Sequence, residues 1–334
     1  MTIQSRSEEI TAAVKDAVKK LFAKGKVDLV IGYTDGTLPL RAQPLFMKSA
    51  DDVDDFKWNN LGYINIAKYA LEKRTKKVDD KDVDLKIGIV AKGCVGRAIN
   101  HLIVENQIKR ENVVIIGFPC NGIADVNKIE KDLGEKEALE VNLDGDNLVV
   151  KGNGFEKSYP IAENVNTVCK VCKIKTPTVA DVMVLEGKNL PLDDDFADIA
   201  EHNKKATAEK WDETISTLHD CIRCYSCRQA CPMCYCSLCF VDQNKPMWFD
   251  KTSSMQDIFT FHLVRSLHMA GRCVSCGACT AACPMHIDLN FITRKLQELA
   301  KRRFDFVSGL DQDTLPPLSA FKMNDEQEFM LEEE

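Results

Sequence analysis

Apolar positions recur every three to four residues through 8–24 (EEITAAVKDAVKKLFAK), where Ile10, Val14, Val18, Leu21 and Phe22 share one face. That spacing predicts an amphipathic helix. VDLVIGYTDG follows, a short apolar run closed by a turn, and predicts a buried strand over 27–33. A helix near 66–74 (IAKYALEKR), a buried strand over 86–93 (KIGIVAKG), a helical stretch AINHLIVENQIK and a third strand over 112–122 (NVVIIGFPCNG) come next. Strands alternating with helices predict an α/β domain over 1–185, built on a parallel sheet covered on both faces.

The pattern then changes. Residues 186–210 (EGKNLPLDDDFADIAEHNKKATAEK) are polar and rich in charge, and read as a partly helical connection. Residues 211–310 read as a mainly helical second domain. Within it, Ile258, Phe261, His262, Arg265 and His268 recur at helical spacing in SSMQDIFTFHLVRSLHMAG, with Ser254 as N-cap and Gly271 as stop. NFITRKLQELAKRRF is a further helix whose basic residues fall late, as the helix dipole prefers. Residues 311–334 end in MNDEQEFMLEEE, an acidic, mobile tail that could brush a basic partner.

The cysteines change the picture most. CIRCYSCRQACP supplies Cys221, Cys224, Cys227 and Cys231, and CVSCGACTAACP supplies Cys273, Cys276, Cys279 and Cys283. Each run is C-x2-C-x2-C-x3-C-P, the spacing that ligates [4Fe–4S] clusters, with the fourth Cys of each run serving the other cluster. Three thiolates two residues apart let a tight loop reach three corners of a cubane. The Pro after the fourth turns the chain away. Cys221, Cys224, Cys227 and Cys283 are therefore expected to hold one cluster, and Cys273, Cys276, Cys279 and Cys231 a second. The alternatives are two zinc knuckles or a disulfide framework, although zinc sites usually use two pairs of ligands.

Composition narrows the class. The chain has 334 residues, 45% of them hydrophobic, and a net charge of -7. With no long basic stretch, nucleic acid is not an expected partner. No apolar run is long enough to span a bilayer and the N-terminus has no signal-peptide core, so a cytoplasmic location is expected. Structural disulfides are rare there, so fifteen Cys, an odd number, point to metal.

Four more cysteines form a candidate third cluster site. Cys94 in KGCVGR follows the second strand and Cys120 in GFPCNG follows the third, so both face one edge of a parallel sheet, where ligands collect. CKVC adds Cys169 and Cys172. The alternative is buried structural cysteines with an incidental C-x2-C. KGCVGR is also a weak match to a phosphate loop, lacking the full glycine pattern. A helix start there gives Cys94 backbone N–H groups and a positive dipole end. Cys234, Cys236 and Cys239 in MCYCSLC could ligate a further centre, shield a cluster or pack. His262 and His268 could ligate metal or relay protons, but packing beside a cluster or hydrogen bonding to it is the favoured reading.

GFPCNG, CKVC with the later ADV, and the two Cys runs together resemble the beta-subunit family of coenzyme F420-reducing hydrogenase and formate dehydrogenase. The matching residues are Pro119, Cys120, Cys169, Cys172, Ala180, Asp181 and Val182, and the resemblance spans roughly residues 85–185 plus the ferredoxin-like part. Here the Cys runs follow the α/β domain instead of preceding it, and MCYCSLC is extra. Residues 221–300 also look like the dicluster subunit of heterodisulfide reductase. The resemblance implies [4Fe–4S] clusters and, in the archetypes, FAD and F420 reduction. With no catalytic triad, paired acid and base or open metal site in view, the expected role is an electron-transfer subunit. It would serve a multi-subunit oxidoreductase of formate dehydrogenase, hydrogenase or heterodisulfide reductase type, with catalytic and flavin-containing partners. The rival readings are an FAD-containing subunit reducing F420 or a nicotinamide, and a cluster- or zinc-based redox sensor.

Overall fold

The protein is described by a computed structural model covering residues 2–78, 80–192, 196–248, 250–321 and Met323. The acidic stretch 324–334 lies outside the described residues.

The α/β part opens with α1 (Ile3–Ala23), whose N-cap Thr2 accepts from the Ser5 N–H and which buries Ile10, Val14 and Val18. Strand β1 (Leu29–Asp35) follows, then β2 (Ala42–Met47), α2 (Ala67–Glu72), a hairpin of β3 (Thr75–Val78) and β4 (Lys81–Asp84), and β5 (Ile87–Ala91). Next come α3 (Gly93–Val104), β6 (Val113–Gly117), α4 (Val126–Leu133), and strands β7 (Glu140–Asp144), β8 (Asn147–Gly152) and β9 (Phe155–Pro160). Helix α5 (Thr167–Lys170) and strand β10 (Val182–Met183) complete this part.

The central sheet runs β10-β6-β5-β1-β2. Strands β1, β5, β6 and β10 are parallel, with Ile89 opposite Ile31 and Ile115. Strand β5 is buried throughout, as a parallel strand covered on both faces should be. Each of its buried Ile and Val side chains contributes about 1.5–3 kcal/mol relative to exposure. The α/β expectation therefore holds, with three corrections. Strand β2 is antiparallel to β1 at the edge. A separate antiparallel sheet, β7-β8-β9, packs beside the main one. The second and third strands end at Ala91 and Gly117, short of the expected 93 and 122, because Gly93 already opens α3 and the chain turns away after Gly117.

The remainder is helical: α6 (Ala197–Lys204), α7 (Thr207–Leu218), α8 (Ser226–Gln229), α9 (Met255–His268), α10 (Ala278–Ala281) and α11 (Asn290–Phe304). Ser254 caps α9 by accepting from the Asp257 N–H, and Gly271 lies beyond its end at φ 68°. The stretch expected to connect two domains is docked. Arg294 on α11 holds Asp198 on α6 through Nε and Nη2 at 2.7 and 2.9 Å. The two parts also share a core, because Met233, Met269 and Val274 pack into the same buried cluster as the central strands.

Candidate metal centres

The two Cys runs fold alike because their backbones repeat one unusual alternation. Arg223 and Tyr225 in the first run have φ of 54° and 61°, and Ser275 and Gly277 in the second have 52° and 71°. The third and fifth residues of each run thus enter the left-handed region, which curls the loop around its first three thiols. Helices α8 and α10 follow the two loops. Gly277 needs its missing side chain twice over, since a Cβ there would stand 2.9 Å from Asn166 Oδ1 and 3.0 Å from Val168.

These loops bring the expected partners together. Burial raises the Cys221 thiol, and the facing Cys283 and Cys224 raise it further. Burial pushes Cys227 up to about 11, Arg265 opposes this, and Cys221, Cys283 and Cys224 add to it. The second group behaves likewise. Burial holds Cys276 well above the ordinary thiol range, with Cys231 and Cys279 contributing, and pushes Cys279 to about 12, with Cys231 and Cys273 contributing. The packing agrees: Cys283 lies in one cluster with Cys221 and Cys227, and Cys231 in another with Cys273 and Cys276.

The third group assembles at the carboxyl edge of the sheet. Cys94 lies in the first turn of α3, directly after β5, and Cys120 lies just beyond β6. Cys169 lies in α5, capped by Asn166, and Cys172 follows it. Burial pushes Cys94 to about 11, with Lys92 opposing and Cys120 and Cys172 adding. Burial also takes Cys169 to about 12, with Cys120 the next contributor. Gly93 and Gly96 permit this meeting. A Cβ on Gly93 would lie 2.1 Å from Ile174 O, and one on Gly96 2.6 Å from Pro177. The glycines of KGCVGR thus admit the segment after Cys172, so the phosphate-loop match is not needed to explain them.

Backbone amides already point at the sulfurs. The N–H of Gly122 donates to Cys120 Sγ and that of Arg223 to Cys221 Sγ, both at 3.4 Å. The backbone amides of Ser275 and Ala278 lower the Cys273 and Cys276 thiols against the burial that raises them. Such bonds favour thiolate. Four crowded thiols cannot all ionise unaided, whereas an iron core binds them as thiolates and removes the conflict. The donor sets therefore fit [4Fe–4S] clusters. Among the described residues, no group of three or more His, Cys, Asp or Glu closes around a single metal ion. A cubane offers each thiolate its own iron, so its ligands need not converge in that way. None of the fifteen cysteines forms a disulfide.

The remaining candidates fall around these groups. Cys234 hydrogen-bonds Cys231, holding Cys231 down as the thiolate of the pair. Cys234, Cys236 and Cys239 line one cavity of about 220 Å³ with Met233 and Arg265. His262 Nε2 lies 3.3 Å from Cys221 Sγ. Burial and Arg265 hold its pKa down to about 4, so a neutral imidazole faces the sulfur. His268 is exposed and packs on Phe240.

Sequence reasoning missed the buried cations. Lys92 is 1% exposed, donates Nζ–H to Gly62 O, and lies 5.4 and 5.8 Å from the ring centres of Tyr33 and Trp58. Cys94, Cys120 and Cys169 all favour its charged form. Beyond Trp58 a cleft of about 950 Å³ opens at the end of β1, lined among others by Asp35, Gly36, Arg41 and Lys57.

Residues 84–217 match the family described as the C terminus of the beta subunit of coenzyme F420 hydrogenase/dehydrogenase. The chain is 25% identical over 379 residues to the F420-dependent formate dehydrogenase subunit beta of Methanocaldococcus jannaschii, covering 94% of this chain and 95% of that protein. It is 26% identical over 376 residues to the F420-dependent formate dehydrogenase 1 subunit beta of Methanococcus maripaludis, covering 93% of each. The structure of the xenon-derivatized F420-reducing [NiFe] hydrogenase complex from Methanosarcina barkeri overlaps 52% of this chain and 65% of that chain. Its TM-score is 0.35 at 13% identity. The resemblance to the beta-subunit family, first seen in GFPCNG and CKVC, holds across nearly the whole chain.

Proposed function

We propose that this chain is an iron–sulfur subunit of a multi-subunit oxidoreductase of the formate dehydrogenase or hydrogenase type. Cys221, Cys224, Cys227 and Cys283 would hold one [4Fe–4S] cluster, Cys273, Cys276, Cys279 and Cys231 a second, and Cys94, Cys120, Cys169 and Cys172 a third. When bound, such clusters supply one-electron transfer, with potentials set by charge, hydrogen bonds to sulfur and exposure. The chain's own residues bind, orient and shield them. Amides and His262 face the sulfurs, and Lys92 supplies positive charge beside the third group.

One observation carries the reading: the three cysteine groups stand in series. Gly277 of the second run lies against Asn166 and Val168 beside Cys169 of the third group, and Cys279 of the second packs in one cluster with Cys221 and Cys227 of the first. A row of one-electron sites suits transfer between a catalytic partner and another carrier. Among the described residues no helix is long and apolar enough to cross a membrane.

The test is anaerobic purification with any associated subunits, followed by assay of the single chain. The isolated chain should accept electrons from a strong reductant and turn over no organic substrate. Robust formate, hydrogen or F420 turnover by the pure chain would refute the reading.

The 950 Å³ cleft supports a second reading, in which this chain also holds FAD and reduces F420 or a nicotinamide. It lies at the sheet edge that carries Cys94 and Cys120, and the buried Trp58 Nε1–H on its wall has no hydrogen-bond partner. A flavin absorbance band after acid release from purified protein supports this reading, and its absence from replete protein excludes it.

A further inference from the structure

Two buried arginines stand at the boundaries between the cysteine groups. Arg97, on α3, is 7% exposed, and its Nε and Nη1 donate to Ser308 O at 2.8 Å and Val274 O at 3.2 Å. It lines one cavity with Cys172 of the third group and Cys273 of the second. Burial works against its charge, and Cys172, Cys273, Cys94 and Cys276 favour it. Arg265, on α9, is 5% exposed and donates from Nη2 to Cys227 O at 3.2 Å, while its buried Nε–H has no hydrogen-bond partner. The groups acting on it are Cys279 and Cys231 of the second group, Cys227 of the first, and Cys234.

Among the described residues, neither arginine makes an ion pair with a carboxylate. A buried guanidinium keeps its proton, and burying it without counter-charge is costly. For both residues the available counter-charge is what the thiolate groups hold, and each arginine has one group on either side.

We propose that Arg97 and Arg265 are shared counter-charges, each setting the reduction potentials of the two cluster sites it separates. The inference rests on the proposed ligand sets. Reduction of a site takes one electron from the donor, makes or breaks no bond, and needs no proton. The added negative charge is stabilised by a cation beside it, so each arginine raises the potential on both its sides. The second group, lying between them, is governed by both. Of these two arginines only Arg265 borders the first group and only Arg97 the third, which also has Lys92 beside it. An arginine between neighbouring sites also weakens the repulsion between them when both are reduced.

The test is an EPR-monitored redox titration with dithionite and mediators. It uses the full anaerobic chain as wild type, Arg97→Gln, Arg97→Lys, Arg265→Gln and Arg265→Lys. In each Gln variant two of the three midpoint potentials should fall, by at least a tenfold change in the reduction equilibrium, ~59 mV for one electron. One of the falling potentials should be common to both variants. The Lys variants should keep potentials close to wild type.

Unmoved potentials in iron-replete Gln variants overturn the proposal, as do equal shifts at all three sites or Lys variants that behave like Gln. If a Gln variant loses iron, retention by the matching Lys variant supports a counter-charge. Equal loss by both overturns it. A wild-type chain that binds no iron defeats the ligand sets themselves, which is a different failure.

Discussion

Arg272 grips both carboxylate oxygens of Glu105, with Nε 2.7 Å from Oε1 and Nη2 2.8 Å from Oε2. The two residues are 167 positions apart in sequence. Glu105 closes α3, and Arg272 directly precedes Cys273, the first thiol of the second run. Tyr235 of MCYCSLC donates its hydroxyl to the same carboxylate, and Arg272 lies 5.0 Å from the Tyr235 ring centre. Ser308 adds a further tie, donating to Arg272 O at 3.0 Å within hydrogen-bond distance of His101. The α/β part thus fixes the entry of the loop that carries the second cysteine group.

That clamp should be acid-sensitive. Burial works to raise the Glu105 pKa, but the nearby His101 imidazole, 3.4 Å away, and the hydrogen bonds from Arg272 and Tyr235 hold it down to about 2. Its unfolded value is about 4.3. A depressed carboxylate adds stability that is complete above the unfolded value and is lost as pH falls through the folded one. Glu105→Gln should therefore cost about 2 kcal/mol at neutral pH, as for hydrogen bonds to a charged group. It should also flatten the stability loss of the wild type between about pH 4 and pH 2. Thermal unfolding followed by circular dichroism across that range checks both expectations. Parallel wild-type and variant curves would show that the clamp contributes nothing.

Much of this was legible because the signals are local. Parallel strands buried on both faces read as continuous apolar runs, as Ile87–Ala91 does, and C-x2-C spacing declares its own chemistry. The edge strand β2 was hidden by Pro44, which weakens any strand reading although an edge tolerates it. The β7-β8-β9 sheet has short strands broken by polar and charged residues, which weakens a strand reading, even though Asn153–Gly154 between β8 and β9 is a hairpin signal. Arg265 shares a helical face with Ile258 and Phe261, which marks its side as inward, but Lys92 and Arg97 could not be singled out, since their burial depends on tertiary neighbours.

The ferredoxin-like runs give the next expectation. Cys224→Ser should remove one cluster's worth of iron, and Cys276→Ser another, each with loss of helical signal from the C-terminal part, because metal binding there is coupled to folding. Iron and acid-labile sulfide analysis of each variant is the check. Full iron and sulfide content in either would mean that the mutated cysteine is not a ligand.

Gly277 offers a test of how the second and third groups are joined. At φ 71° an alanine is strained, and its Cβ would press on Asn166 and Val168 beside Cys169. Gly277→Ala should cost about 1–3 kcal/mol from the backbone alone. It should disturb EPR signals from both the second and the third groups. The same left-handed conformation is carried by Tyr225 in the first run, where the ring packs edge-on against Phe261 at 5.1 Å. An alanine variant that changes the second group's signal and leaves the third untouched would mean that the Asn166 contact transmits nothing.

The third group carries the strongest consequence for the fold's role. Cys94 and Cys120 follow the adjacent strands β5 and β6, and the C-x2-C closes over them only because Gly93 and Gly96 let the segment from Ile174 to Pro177 approach α3. If all three groups hold cubanes, iron should approach roughly twelve atoms per chain at four per cluster. A Cys120→Ser, Cys172→Ser double variant should lose about a third of it and keep the EPR signals of the two ferredoxin-type groups. Total iron alone is not decisive, because Cys234, Cys236 or Cys239 could hold metal of their own beside Cys231. Gly96→Ala supplies the independent arm. It leaves every thiol in place but drives a Cβ into Pro177, so it should deplete the third group's iron while sparing the other two. Full iron in both variants would make these four cysteines structural and leave the sheet edge to a flavin or to a docking partner.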